Sequence, residues 1–227
     1  MVVTNNLQSL RSKNQVIVGG AVFGALAVIL TFISQWLVLS FPLVPYLQFD
    51  LGEIAILLAF FIFGPAPALT ASVVEFITLM LIGANVPVGP VLKLVAIVSS
   101  LAGIWLGMAL ASRSRHATVG RAAGFGTTLG LISRAILMTL ANYVVIILIY
   151  TVPGIVAFVS ASFALIGVTL TDSNALALVL GFTAIFNVLQ LLFVACVSYA
   201  ILSMPQVRNA GAARRTLWVA SYIKSRE

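Results

Sequence analysis

The sequence has very few of the side chains on which most enzyme chemistry depends. Its 227 residues include one cysteine and one histidine, and only 7% of them are charged. One histidine and one cysteine cannot supply the converging ligands of a zinc site, and a lone cysteine excludes an intrachain disulfide. A serine-type nucleophile needs a positioned base, but His116 lies in a basic loop. No Gly-x-x-x-x-Gly-Lys-Ser/Thr phosphate loop is present either. We therefore predict no catalytic residue, no metal site and no cofactor.

Apolar residues are what the sequence has in excess. Hydrophobic residues make up 62% of the chain, and the mean hydropathy is +1.18. Soluble domains carry about 25% charged residues, whereas a membrane-crossing helix needs about 20 mostly apolar residues. We therefore predict an all-α membrane protein with six transmembrane helices. The helices form a membrane domain, 16–204, which follows a cytoplasmic N-terminal segment, 1–15, and precedes a basic cytoplasmic tail, 205–227. The predicted spans are 16–39, 51–63, 66–82, 91–111, 125–150 and 175–204, with a loop or interfacial helix over 151–173.

The basic residues fall on one side of this arrangement. With six spans, both termini and the loops after the second and fourth spans share a side, and the loops of the other side contain no Lys or Arg. The positive-inside rule then predicts that both termini lie in the cytoplasm. We therefore expect a multi-pass protein of the plasma membrane. The net charge of +7 reflects this topology rather than a nucleic-acid partner. The basic residues on this side are Arg11, Lys13, Arg113, Arg115, Arg121, Arg208, Arg214, Arg215, Lys224 and Arg226. For the tail, an amphipathic helix on the lipid surface and a frayed solvated end are both open.

One stretch concentrates the acidic residues. It runs from 41 to 75 and reads FPLVPYLQFDLGEIAILLAFFIFGPAPALTASVVE, with Asp50, Glu53 and Glu75 inside or beside apolar segments. A carboxylate at mid-bilayer costs roughly 2.5–3.5 kcal/mol on insertion scales. Three carboxylates within one hairpin therefore indicate a polar pocket between helices. Lys93, early in the fourth span, is a candidate ion-pair partner for Glu75.

Three amide side chains are the best candidates for ligand contacts. Asn187 and Gln190 are three residues apart and share a helix face, and Asn142 lies in the fifth span. An amide both donates and accepts hydrogen bonds, so it matches the acceptor–donor–acceptor edge of a heterocyclic imide. Apolar slots with a few polar groups are typical small-molecule sites, although such amides also join membrane helices to one another. The nearby aromatic residues are Tyr143, Phe182, Phe186 and Phe193.

Small residues and one arginine complete the pattern within the spans. The first span contains Gly20-x-x-x-Gly24 and Ala21-x-x-x-Ala25, and either set allows another helix to approach closely. Packing within the chain and docking of a partner are both open for this face. Arg134, in the fifth span, is expected to extend toward the interface or to bind a backbone carbonyl.

The chain resembles the substrate-binding (S) components of energy-coupling factor (ECF) transporters, especially the riboflavin-specific ones. The resemblance is strongest over the proline-bearing loop, the Phe-Asp segment, the Gly-Pro turn and the Glu-bearing helix of 41–75. It extends to Ala-Asn-Tyr-Val at 141–144 and to Phe-Asn-Val-Leu-Gln at 186–190. The resemblance implies a six-helix subunit that binds riboflavin from outside as a transported ligand. It also implies association with a transmembrane coupling protein and two cytoplasmic ATPases.

The same resemblance implies roles for individual residues. Asn142 and Asn187 would contact the flavin ring, with Gln190 beside them. Leu47, Phe49 and Asp50 would close over the ligand, and Glu75 would lie lower in the pocket. Ala21 and Ala25 would dock on the coupling protein.

The sequence also departs from the family pattern. Gln190 stands where the family has a lysine, and Phe-Ile-Thr follows Glu75 where Lys-Asn is common. These departures leave two alternatives to a riboflavin carrier open. One is an S component for another vitamin or small heterocycle, and the other is a membrane scaffold protein that transports nothing.

Overall fold

The described part of the chain folds into seven α-helices and one small β-hairpin. The computed structural model describes residues 2–83, 85–113, 118–204, 218, 219 and 222. The helices are α1 (Val2–Leu37), α2 (Gly52–Phe63), α3 (Pro65–Ile82), α4 (Val88–Ala111), α5 (Val119–Val145), α6 (Val152–Ala164) and α7 (Asp172–Ser203). A π-helical turn, Ile146–Tyr150, continues α5. Strands β1 (Ser40–Phe41) and β2 (Val44–Gln48) pair antiparallel.

Five helices in the described residues are long and apolar enough to cross a membrane. They are α3, α4, α7, the part of α1 from Val16, and α5 with its π-helical turn. The remaining predicted span, the second one at 51–63, corresponds to α2, which has only 12 residues. At 1.5 Å per residue it is about 18 Å long, shorter than the roughly 30 Å hydrocarbon layer. Its residues from Gly52 to Phe61 are all buried. The apolar character of α2 therefore serves packing against the surrounding helices.

Local sequence signals explain where the helices begin and turn. Pro65 occupies the first turn of α3, where its missing N–H costs no helical hydrogen bond. Gly64, between α2 and α3, has φ +102°, a conformation that favours glycine. Thr171 and Asn174 form a reciprocal capping box at the start of α7.

Glycines set the contact between α4 and α5. A Cβ on Gly107 would lie 2.7 Å from the Cα of Gly126, and a Cβ on Gly103 would lie 2.7 Å from the Cα of Gly130. The pattern Gly103-x-x-x-Gly107 of α4 and the pattern Gly126-x-x-x-Gly130 of α5 therefore pack against each other inside the chain. On α1, Gly20 and Gly24 face Thr70 and Val74 of α3 in the same way.

The hairpin was not predicted from the sequence, which indicated only a proline-bearing loop. It packs with α6 and α7 in a second hydrophobic cluster, separate from the main cluster around α2. Buried members of this second cluster include Val44, Val159 and Val179. The helix α6 lies in the segment 151–173, which was expected to hold a loop or an interfacial helix.

Three described residues of the C-terminal tail pack on the bundle. Val219 is 4% exposed and joins the main hydrophobic cluster. The ring of Trp218 lies 5.4 Å from that of Phe60 and stacks on Tyr222 at 4.8 Å. At these residues the tail is therefore packed on the bundle rather than frayed. Its basic residues lie outside the described part of the chain.

Candidate substrate-binding site

Lys93 of α4 joins groups from three neighbouring segments. Its Nζ donates to Glu75 Oε1 of α3 at 2.8 Å and to Thr31 Oγ1 of α1 at 2.6 Å, and it pairs with the carboxylate of Asp50. The Thr31 hydroxyl also lies 2.7 Å from Glu75 Oε1 and 2.9 Å from Asp50 Oδ1. The predicted Glu75–Lys93 pair is therefore present. We call these four residues the Lys93 cluster. Its cation compensates one of two facing carboxylates, and such burial is tolerated only with this kind of pairing.

The start of α2 is pressed into the Lys93 cluster. A Cβ on Gly52 would lie 2.2 Å from Thr31 Oγ1 and 2.7 Å from Glu75 Oε1, so only glycine fits there. The Gly52 N–H donates to Asp50 Oδ1 at 2.7 Å. A carboxylate beside the N-terminus of a helix is favoured by the unpaired N–H groups of the first turn.

A second buried ion pair is formed by Glu53, the residue that follows Gly52 in the first turn of α2. Arg134 of α5 contacts Glu53 through two parallel bonds, Nη1 to Oε2 at 2.5 Å and Nη2 to Oε1 at 2.9 Å. Its Nε donates to Asn187 Oδ1 of α7 at 3.0 Å. Arg134 is 2% exposed and Glu53 is 6% exposed. The expectation that Arg134 extends to the interface or binds a backbone carbonyl is wrong, because a buried carboxylate on α2 neutralises its charge and fixes its fork.

Gln190 of α7 holds the backbone of Asp50. Its Nε2 donates to the Asp50 carbonyl at 2.8 Å, and its Oε1 accepts from the Asp50 N–H at 3.3 Å. The backbone of Asp50 is therefore held by α7, while its side chain belongs to the Lys93 cluster. Gln190 is 1% exposed, and both ends of its amide are satisfied.

Aromatic rings cover this face of α7. The ring of Phe49 lies 5.1 Å from that of Phe186 and 6.4 Å from that of Phe193. Leu47 is buried in the same cluster as Phe186. The residues just before α2 therefore contact Phe186, Gln190 and Phe193 of α7.

Tyr46 belongs to the same hairpin and faces α6. Its ring lies 6.3 Å from that of Phe158. Burial raises the pKa of the Tyr46 hydroxyl to about 12, so this residue stays neutral near pH 7. It adds a polar but uncharged group to the residues that lie over α7. We call these residues, the hairpin and Phe49, the cover.

The predicted binding residues fall into two groups. Asp50 and Glu75 contact Lys93, whereas Leu47, Phe49, Asn187 and Gln190 lie along α7 and the chain that covers it. The Asp50–Gln190 contact is the bridge between the groups. Asn142 is 2% exposed, and its Nδ2 donates to Met138 O within α5.

Sequence reasoning missed several polar partners. Thr31 was not singled out, nor were two serines: Ser34, whose hydroxyl accepts from Leu51 N at 2.8 Å, and Ser100, 3.3 Å from Arg134 Nη1. Hydroxyls are common in membrane helices, so their type carries little signal. The pairing of Glu53 with Arg134 could have been inferred, because an acid and a base in apolar spans need partners.

The two small-residue patterns on α1 have different surroundings. Gly20 and Gly24 are buried against α3, whereas Ala21 and Ala25 are exposed. The alanine face of α1 is therefore exposed on the surface of the described bundle.

Comparison with known proteins gives a structural neighbour. No protein-family model matches the sequence, and no curated protein matches it. The structure is similar to that of the S component of a bacterial ECF transporter, with a TM-score of 0.54. The match covers 83% of this chain and 94% of the other, at 22% sequence identity. The chain has an ECF S-component-like fold, and this neighbour is a transporter subunit rather than an enzyme.

Proposed function

We propose that the chain is the substrate-binding subunit of an ECF-type importer and that its substrate is riboflavin. The fold supports the transporter class. The observation that carries the substrate is that α7 presents the buried amides of Asn187 and Gln190 on the same helix as Phe186, whose ring contacts that of Phe49. Amides supply the hydrogen bonds of an imide edge, and offset or edge-on rings accommodate a planar aromatic ligand.

Binding requires the cover to move. Asn187 and Gln190 are at most 2% exposed, so a flavin reaches them only when Phe49 and the hairpin separate from α7. The contacts that hold this cover to α7 are ring packing and the Asp50–Gln190 pair, both of which a flavin can replace with equivalent contacts. Binding would then exchange protein–protein contacts for protein–ligand contacts at low net cost.

Orientation and partners follow from the same proposal. Both termini lie in the cytoplasm, as the distribution of Lys and Arg favours, which puts the hairpin and α6 on the outer face. The exposed Ala21–Ala25 face of α1 docks on a transmembrane coupling protein, which two cytoplasmic ATPases energise. Such small-residue faces let helix backbones approach closely in lipid. An S component for another small heterocycle remains the runner-up.

The test is a fluorescence titration of riboflavin with the detergent-purified, flavin-free protein. We expect stoichiometric quenching of flavin fluorescence that weakens about tenfold or more in Asn187→Ala and in Asn142→Ala, since a lost hydrogen bond leaves a buried partner unpaired. Gln48→Ala changes an exposed amide on the hairpin and serves as the control. Equal binding by all four proteins would contradict the proposed site, and quenching by a different heterocycle alone would favour the runner-up.

A further inference from the structure

The carboxamide of Asn187 has one orientation that the protein supports. Its Oδ1 accepts from Arg134 Nε at 3.0 Å, and its Nδ2 donates to Thr183 O at 2.9 Å. Flipping the amide would put two donors together at Arg134 and two acceptors together at Thr183. In the observed orientation, Oδ1 keeps one lone pair and Nδ2 keeps one N–H. These two groups are what an imide edge, with its N–H and C=O, would need.

Arg134 is itself held in place from another helix. The two oxygens of Glu53 take its Nη1 and Nη2, which leaves Nε directed at Asn187. This planar fork geometry is specific to arginine, because a lysine ammonium is a point charge without a fixed plane. The chain of contacts therefore runs from α2 through α5 to α7, and every link is buried.

Stability alone does not explain this arrangement. Replacing a buried ion pair by apolar residues of similar volume is often neutral or even stabilising. The guanidinium, however, donates one hydrogen bond to Asn187, the buried asparagine of α7. Orientation of that amide is a role that an apolar pair could not fill.

We propose that Glu53 and Arg134 are positioning residues that fix the Asn187 carboxamide for the imide edge of the ligand. This proposal rests on the proposed function, because it assigns Asn187 a ligand contact. It predicts that the pair controls discrimination between ligands with and without an imide N–H, rather than affinity in general.

The experiment compares riboflavin with an analogue methylated at the imide nitrogen. The wild type is expected to bind riboflavin roughly tenfold or more tightly than the analogue, the size of one lost hydrogen bond. In Glu53→Gln/Arg134→Met, which leaves no unpaired charge, this preference should fall to about twofold or less while the affinity for the analogue changes little. Arg134→Lys should keep the fold and the charge and still lose most of the preference. Thr127→Val, which removes a buried contact between α5 and Tyr199 of α7, is the matched control and should keep the preference.

Equal losses for both ligands in the double variant would show a purely structural role and would overturn the proposal. A second measurement needs no ligand. In protein labelled with ¹⁵N-asparagine, the side-chain NH₂ of Asn187, assigned by its loss in Asn187→Ala, should exchange with solvent several-fold faster in the double variant. Failure of the wild type to bind flavin would refute the proposed function, and unchanged amide exchange would separately refute the positioning role.

Discussion

Gln190 pairs with the backbone of Asp50 through both ends of its amide, at 2.8 Å and 3.3 Å. The two residues are 140 positions apart in the chain, and the contact fastens the segment before α2 to the centre of α7. It also links the Lys93 cluster to the face that carries Asn187. Separation of the cover from α7 therefore requires the loss of this pair.

Removing the Gln190 amide should loosen the cover. Gln190→Met keeps the side-chain length but loses two hydrogen bonds, each worth about 1 kcal/mol net. Amide hydrogen exchange of residues 44–50 should accelerate roughly tenfold or more, as local opening becomes easier. Gln48→Met makes the same chemical change at an exposed hairpin position and should leave exchange unchanged. Equal protection in both variants would show that ring packing alone holds the cover.

Lys93 should be essential to stability because of the carboxylates around it. Lys93→Met leaves Asp50 and Glu75 facing each other without a cation, and breaking a buried pair in this way costs about 3–5 kcal/mol. Thermal unfolding in detergent should show a large drop in midpoint. The triple variant Asp50→Asn/Glu75→Gln/Lys93→Met should recover most of it, because the charges are then removed together. A triple variant as unstable as Lys93→Met would mean that lost packing, rather than unpaired charge, causes the damage.

The glycines of α5 offer a matched pair. A Cβ on Gly126 would lie 2.8 Å from Ile104 O and 2.8 Å from Met108 Cγ, whereas a Cβ on Gly124 meets no atom within 4 Å. Gly126→Ala should destabilise the protein by about 1–3 kcal/mol through overpacking. Gly124→Ala should be neutral or stabilise it by about 0.5–1 kcal/mol, since alanine favours a helix. The measurement is the thermal unfolding midpoint of each variant under identical detergent conditions. Similar midpoints for Gly126→Ala and Gly124→Ala would contradict the close α4–α5 contact.

The alanine face of α1 should serve association rather than folding. Ala21→Leu/Ala25→Leu adds bulk to an exposed face, so thermal stability and flavin binding should stay near wild type. Co-purification with the coupling protein and its ATPases should fall several-fold or more, because close helix approach is blocked. Ala102→Leu makes the same change at an exposed position of α4 and should leave the complex intact. Equal recovery of partners with both proteins would argue against docking through α1.

Much of the helical framework could be predicted from the sequence. Long apolar runs gave the positions of the membrane-crossing part of α1 and of α3, α4 and α7 to within a few residues, because burial in lipid demands continuous apolar surface. The helical start of α1 at Val2 was not predicted, because residues 1–15 are polar. The length of α2 was also predicted, but its role was not. The apolar composition of these twelve residues is the same whether the helix faces lipid or is buried among other helices, so composition alone could not distinguish the two.

The site was only partly predictable. Glu75 and Lys93 could be paired because both are costly in lipid alone. The partner of Arg134 was missed because the approach of α2 to α5 depends on packing between distant segments. The hairpin was missed for another reason: its strands have two and five residues, too short for an alternating pattern to stand out beside two prolines.

Equilibrium dialysis of flavin-free, detergent-purified protein against riboflavin tests the central claim most directly. The account predicts saturable binding that approaches one riboflavin per chain at submicromolar ligand and is displaced by unlabelled riboflavin. Absence of saturable binding up to micromolar riboflavin, with a protein that still shows a cooperative unfolding transition, would contradict riboflavin as the substrate and leave only the S-component-like fold.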